Sequence, residues 1–315
     1  MEIVLLESLG IEQELLDSYA KKLKEEGHTF KAYERDTDPQ VQKKRCENAD
    51  VVMIANMPFT DEVIRDCPRL KFIDVAFTGV DHVGLDAAKE KGIAVSNASG
   101  YSNESVAELV LGMMLILLRN VPQVDQRCRE GGTKEGLVGR EIMGKKIGIV
   151  GTGAIGKRVA QICYGLGCEI LGYDPNPAAN APEYIQYLSL EELMREADIV
   201  TIHCPLMGST FHLINNENLA LMKKNAIFIN AARGPVVDSQ ALADALTEGR
   251  IAAAGVDVYE VEPPLPKDHP LLHTPNTITT PHIAFASEES MVRRAEIVFD
   301  SLEQWMKGNQ INKIL

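Results

Sequence analysis

The chain has 315 residues, enough for two ordinary domains with their own cores, and its 45% hydrophobic content is that of a globular protein. A formal net charge of −13 with no long basic run argues against nucleic acid or an anionic membrane as partner, because both require a lysine and arginine footprint. Cys46, Cys67, Cys128, Cys163, Cys168 and Cys204 show no CxxC pair and no disulfide-framework spacing, so a reducing cytoplasm is the expected setting.

The opening "MEIVLLESLG" reads as a strand with acidic residues in it, unlike a signal peptide. "QELLDSYAKKLKEEG" has helical period and ends in glycine. "VVMIAN", "KFIDVAF" and "IAVSN" follow as strands, with "TDEVIRDC" and "LDAAKEKG" as helices between them. "LVLGMMLILL", residues 109–118, is the longest strongly apolar run and is too short to span a bilayer. It belongs to a buried helix near 103–120 that carries the chain into a second domain. Residues 121–144 have no clear period and read as a surface arm. After residue 144 the alternation resumes. "KKIGIV" leads through a glycine turn into a helix over 155–166, and "EILGYD" is the next strand. "SLEELMREAD" is a helix, "DIVTIHC" a strand, "NNENLALMKKN" a helix and "AIFIN" a strand. "DSQALADALTEGR" is a helix with Asp238 as N-cap, "AAAGVDVY" and "NTITT" are strands, and a last helix over 288–307 returns to the first domain. Regular βα alternation predicts α/β architecture with two doubly wound parallel-sheet domains: 1–98 with 286–315, and 99–285.

"KIGIVGTGAIGKRVA" places Gly151, Gly153 and Gly156 in GxGxxG spacing between an apolar strand and an amphipathic helix. The first glycine permits the tight turn, the second lets a pyrophosphate approach the backbone, and the third lets helix and strand pack closely. The helix start, with Ala154 and Ile155, then offers unpaired N–H groups to phosphates. Asp174 ends the next strand. A carboxylate there binds the adenosine ribose hydroxyls and repels a 2′-phosphate, so NAD is expected over NADP.

In an open parallel sheet, ligands bind beyond the carboxyl ends of the strands. Arg233 follows "AIFIN", Glu262 follows "AAAGVD", and His282 follows "NTITT". Each has an ordinary structural reading when taken singly. Together they suit reduction of a keto acid, which needs a hydride at carbon and a proton at oxygen. Histidine is the natural proton donor near neutral pH, arginine binds a carboxylate and polarises a carbonyl, and a glutamate beside the histidine holds its ring. His269 and His273 are four apart, but Pro270 and the absence of a third ligand point to no metal. Trp305 reads as a packing residue of the last helix.

The sequence resembles the D-isomer-specific 2-hydroxyacid dehydrogenases over most of its length. The resemblance is carried by "FTGVDHVGLDAAKEKGIAVSN", "SVAELVLGMMLILLR", "GIVGTGAIGKRVA", "HCPLMGSTFHLIN", "NAARGPVVDSQALADAL", "GVDVYEVEP" and "TPHIA". It implies a Rossmann NAD-binding domain, a flavodoxin-like substrate domain made of two chain segments, a cleft between them, and a homodimer built on the cofactor domain. Arg233, Glu262 and His282 become the catalytic trio. Backbone N–H groups around Thr78, Gly79 and Val80 hold the substrate carboxylate, with Arg233 and His282 completing the substrate contacts. Cofactor contacts are expected from the glycine turn, Asp174, His203, Cys204, Pro205, Thr210, Ala231, Ala232, Arg233, Asp257, His282 and Ala284. The first substrate loop, "ANMPFTDE", has no cation and the sequence ends without a regulatory domain, so a phosphorylated substrate is not expected. Retention of Glu262 also disfavours formate. The implied activity is hydride transfer between NAD(H) and a small 2-keto or D-2-hydroxy acid of the hydroxypyruvate, glyoxylate or pyruvate class. The alternatives are an NAD(H)-sensing corepressor and a phosphoglycerate dehydrogenase-like enzyme.

Overall fold

The computed structural model describes residues 1–315 and divides them into two units, Met1–Ser102 with Ala286–Leu315, and Asn103–Phe285. In the first unit the order is β1 (Glu2–Leu5), α1 (Gln13–Glu25), β2 (Thr29–Ala32), α2 (Pro39–Cys46), β3 (Val51–Ile54), α3 (Asp61–Arg65), β4 (Phe72–Val75), α4 (Leu85–Glu90) and β5 (Ala94–Asn97). All five strands are parallel, in the order β2-β1-β3-β4-β5. In the second unit the order is α5 (Asn103–Leu118), α6 (Val121–Arg129), β6 (Lys146–Val150), α7 (Ala154–Gly165), β7 (Glu169–Tyr173), β8 (Ile185–Tyr187), α8 (Leu190–Glu196) and β9 (Ile199–Ile202). It continues with α9 (Asn216–Ala220), β10 (Ile227–Asn230), α10 (Ser239–Thr247), β11 (Ala253–Val256) and β12 (Thr277–Thr279). Its seven parallel strands run β12-β11-β10-β9-β6-β7-β8. The last helix, α11 (Glu288–Met306), belongs to the first unit.

Both sheets are the doubly wound parallel kind that the βα alternation predicts. Central strands such as β3, β4, β9 and β10 are buried along their whole length, which is why they read as unbroken apolar runs. The edges explain what the sequence pattern does not reveal. β2 ("TFKA") and β8 ("IQY") lie at sheet edges, expose polar side chains and carry no apolar run. α2 ("PQVQKKRC") has almost no apolar face and is started instead by Asp38, whose carboxylate accepts from Gln40 N–H ahead of Pro39. The expected surface arm begins with a helix, α6, set off from α5 by Asn120 in the left-handed region (φ 51°). α3 and α9 are shorter than their patterns suggest.

Local caps fix three further helices. Asp238 does cap α10, accepting from Ala241 N–H. Ser189 with Glu192, and Ser287 with Ser290, form reciprocal capping boxes on α8 and α11. α11 packs on β4, where Trp305 stacks on Phe72 at 4.7 Å between ring centroids, and Phe299 stacks on Tyr19 at 4.0 Å. Burying side chains of that size contributes about 1.5–3 kcal/mol each. The two units repeat one device at their amino edges. Asp50, before β3, accepts from Glu2 N–H and pairs with Arg69 and Lys71. Asp198, before β9, accepts from Lys146 N–H and pairs with Lys223. No single helix is long and apolar enough to cross a membrane. α5 is instead a core helix, packed on α7, β10 and β11.

Candidate active site

The strand order of the second unit reverses between β6 and β9, and the glycine turn sits there. Gly151 has φ 94°, and a Cβ on it would overlap the Cys204 backbone. A Cβ on Gly156 would overlap the Gly151 carbonyl, so turn and helix touch through bare backbone. Gly153 is the N-cap of α7, makes no side-chain cap, and has open space where its Cβ would stand. Ala154 and Ile155 form the first turn of α7, with N–H groups unsatisfied within the helix. That open, uncapped helix start is the cradle a dinucleotide pyrophosphate requires, so these residues fit NAD.

Asp174 stands just past β7. One oxygen accepts from Thr152 N–H and hydroxyl at 2.9 and 3.1 Å, and the other from Asn176 N–H at 3.0 Å. Burial pushes its carboxyl up, but these hydrogen bonds outweigh it and hold the pKa below the ordinary value. The residue is therefore an anion tied to the glycine turn. His203 follows β9. Its N–H donates to Val150 O at 2.7 Å and its Nε2 lies 2.9 Å from Thr201 Oγ1. Burial pushes the His203 imidazole down to about 3 and the Cys204 thiol up to about 11, so both are neutral at physiological pH. Thr210 closes the turn that follows, its hydroxyl donating to Pro205 O at 2.7 Å and accepting from Met207 N–H at 2.8 Å.

Three adjacent strands, β10, β11 and β12, deliver the remaining residues to one sheet edge. Past β10, Ala231 is buried and Ala232 N–H donates to Asn230 Oδ1. Arg233 follows, its Nη1 donating to Ala232 O at 2.8 Å. Past β11, Asp257 is fully buried. Its carboxylate accepts from the Thr280 hydroxyl at 2.6 Å and from Ile283 and Ala284 N–H at 2.8 Å each. Its carbonyl accepts from His282 N–H at 2.8 Å. Asp257 thus binds the whole 280–284 loop to β11, a task the sequence does not disclose. Past β12, His282 is held in the left-handed region at φ 57°. The Glu262 carboxylate sits on its Nδ1, with both oxygens at 2.9 Å. A carboxylate only accepts, so Nδ1 carries the proton of that bond. The structure brings Glu262 and His282 into contact, and Arg233 follows β10 at the same end of the sheet. His269 and His273 separate onto Glu260 and the Lys267 carbonyl.

In the first unit, Thr78, Gly79 and Val80 form a loop past β4, anchored by Asn97 Nδ2 on Thr78 O at 2.6 Å. At the same end of this sheet lies a group the sequence pattern does not reveal. Glu7, past β1, accepts from Ala55 and Met57 N–H past β3 and pairs with Arg35, past β2. Recognising "TFKA" as a strand would have put Arg35 at this edge.

The family of D-isomer specific 2-hydroxyacid dehydrogenases, NAD binding domain, matches residues 111–284. A hydroxypyruvate reductase from Blautia hydrogenotrophica is 36% identical over 289 residues, which cover 88% of this chain and 88% of that protein. A solved acyclic imino acid reductase in complex with NADPH and D-Arg superposes with a TM-score of 0.92 at 28% identity, covering 100% of both chains. The D-lactate dehydrogenase of Aquifex aeolicus, complexed with NAD and lactic acid, superposes with a TM-score of 0.89 at 31% identity over 100% of this chain and 99% of its own. With the glycine cradle and the strand-edge histidine on the same unit, the chain belongs to the D-isomer-specific 2-hydroxyacid dehydrogenases and is an NAD-dependent oxidoreductase of small 2-hydroxy and 2-keto acids.

Proposed function

We propose that His282 is the acid/base of this reaction, Glu262 its positioning partner, and Arg233 the residue that binds and polarises the substrate. The observation that carries the reading is the Glu262 carboxylate on His282 Nδ1, at 2.9 Å through both oxygens. Bound NAD(H) supplies or accepts the hydride. Arg233 presents a planar fork to the substrate carboxylate and draws charge toward the ketone oxygen. Backbone N–H groups of Thr78, Gly79 and Val80 add donors to the carboxylate. As negative charge develops on the ketone oxygen, protonated His282 gives it the Nε2 proton, and in oxidation the neutral ring takes that proton back. Glu262 fixes the tautomer and offsets the imidazolium charge. Asp257 sets the backbone from which His282 projects.

On the cofactor side, Gly151, Gly153 and the first turn of α7 receive the pyrophosphate and Asp174 receives the ribose hydroxyls. The loops holding Cys204–Pro205, Thr210, Ala231–Ala232 and Ala284 complete the lining. The substrate is a small keto acid of the hydroxypyruvate, glyoxylate or pyruvate class. The protein works as a cytoplasmic homodimer. Its second unit exposes Val121, Val138, Met143, Tyr164 and Leu166, an apolar set suited to a subunit interface.

The test follows NADH oxidation with those three acids. Rapid turnover supports the enzyme, whereas tight NADH binding without turnover supports a sensor. His282→Ala is expected to lower kcat by at least ~100-fold with little change in NADH affinity. An unimpaired variant removes His282 from the mechanism.

A further inference from the structure

The sheet order β2-β1-β3-β4-β5 reverses between β1 and β3, and ligands of open parallel sheets collect beyond the strand ends at such a point. Here that crevice holds the protein's own anion. One oxygen of buried Glu7 accepts the N–H groups of Ala55 and Met57, each at 2.8 Å. The other accepts from Arg35 Nη1 at 2.6 Å, and the same nitrogen donates to Asn56 Oδ1 at 2.9 Å. The segment leading from β2 to Arg35 is braced by α2. Arg45 donates to the Glu34 carbonyl at 2.7 Å and lies over the Tyr33 ring at 4.7 Å. The Arg35 side chain remains 43% exposed. A guanidinium carries five N–H donors, so the clamp engages one part of the fork and leaves donors on the exposed part.

We propose that Arg35, clamped by Glu7, is a specificity-determining residue that recognises a neutral oxygen on carbon 3 of the 2-keto acid, as in hydroxypyruvate. The assignment rests on the reading of Thr78–Val80 as the carboxylate site. From that loop past β4 to the β1/β3 crevice is one to two strand spacings, about 5–10 Å. A three-carbon acid with a hydrogen bond at each end spans that interval. Charge decides what kind of group is taken. The guanidinium is already neutralised by a carboxylate at 2.6 Å, so the pair offers little net attraction to a phosphate dianion. Its N–H groups remain strong donors to a hydroxyl. Pyruvate presents only a methyl group there, and glyoxylate presents nothing.

The experiment compares kcat/KM for hydroxypyruvate and glyoxylate in wild type and Arg35→Met. Losing a hydrogen bond from a charged donor is expected to lower the hydroxypyruvate-to-glyoxylate ratio by about 10-fold or more, chiefly through KM. The double variant Glu7→Gln/Arg35→Met, which leaves no unpaired buried carboxylate, is expected to give the same fall and serves where the single variant melts early. Glu7→Gln alone uncovers the Arg35 charge and is expected to raise kcat/KM for 3-phosphohydroxypyruvate relative to hydroxypyruvate. A wild type active on both acids whose ratio does not move on substitution overturns the assignment alone, as does a Glu7→Gln variant with no gain on the phosphorylated acid. A wild type that reduces pyruvate or glyoxylate but not hydroxypyruvate overturns the assignment alone, and one that reduces none of the three acids overturns the functional reading and the assignment with it.

Discussion

At the scale of single residues, the site depends on backbone positions that side chains enforce. His282 occupies a left-handed conformation that costs an L-residue roughly 1–2 kcal/mol. Asp257 offsets that cost by accepting three hydrogen bonds from residues 280–284 with its carboxylate and a fourth, from His282 N–H, with its carbonyl. The result is an imidazole aimed by the main chain and held by Glu262, the fixed orientation that the proposed acid/base role requires. Asp174 works in the same way on the cofactor side, joining the glycine turn to the end of β7 while presenting an anion. Asp174→Ala is expected to lose discrimination against NADP, read as the ratio of kcat/KM with NADH to that with NADPH. A variant with wild-type discrimination would remove Asp174 from the ribose site.

At the scale of elements, the two glycines at the head of α7 are expected to respond differently. Gly153 has open space at its Cβ, so Gly153→Ala is expected to keep the melting temperature of the apo protein and weaken NADH binding by about 10-fold through crowding of the phosphates. Gly156→Ala forces helix and turn apart and is expected to lower the melting temperature itself. Calorimetry and NADH titration separate the two. The packing of α11 on β4 contains a second testable feature. Asp74 lies in this fully buried contact, where the Ser301 hydroxyl beside it offers only a weak contact short of full hydrogen-bond geometry. Burial pushes its carboxyl well above the ordinary carboxylate range. The folded state therefore binds this proton more tightly than the unfolded chain. The group's contribution to stability is present below about pH 4 and is lost as pH rises toward the folded pKa. Asp74→Asn is expected to melt higher than wild type at pH 8, by about 2–4 °C per kcal/mol relieved, with the gap closing toward pH 4. A gap of constant size would show that Asp74 does not titrate there.

At the scale of the whole molecule, the exposed apolar residues of the second unit carry the assembly expectation. Tyr164 is 53% exposed and stacks on Tyr184 at 4.2 Å, and Val138 and Met143 are 77% and 66% exposed. Tyr164→Glu is expected to convert a dimer to a monomer in sedimentation, because a buried unpaired carboxylate at an interface costs several kcal/mol. Wild-type protein that sediments as a monomer at micromolar concentration would overturn the dimer.

The sequence by itself determined the alternating architecture, the glycine turn and the three residues at strand ends, because each leaves a local signature of apolar runs, fixed spacing or a cap. The edge strands β2 and β8, helix α2 and helix α6 escaped, since they are short or largely polar and carry no sustained apolar run. Only the tertiary structure decided that Glu262 meets His282 across 20 residues, that Asp257 holds the histidine loop, and that Arg35 pairs with Glu7 and Asn56 at the end of β3. Those contacts join different strand ends of a parallel sheet, and their partners are set by sheet order, which no single stretch of chain encodes.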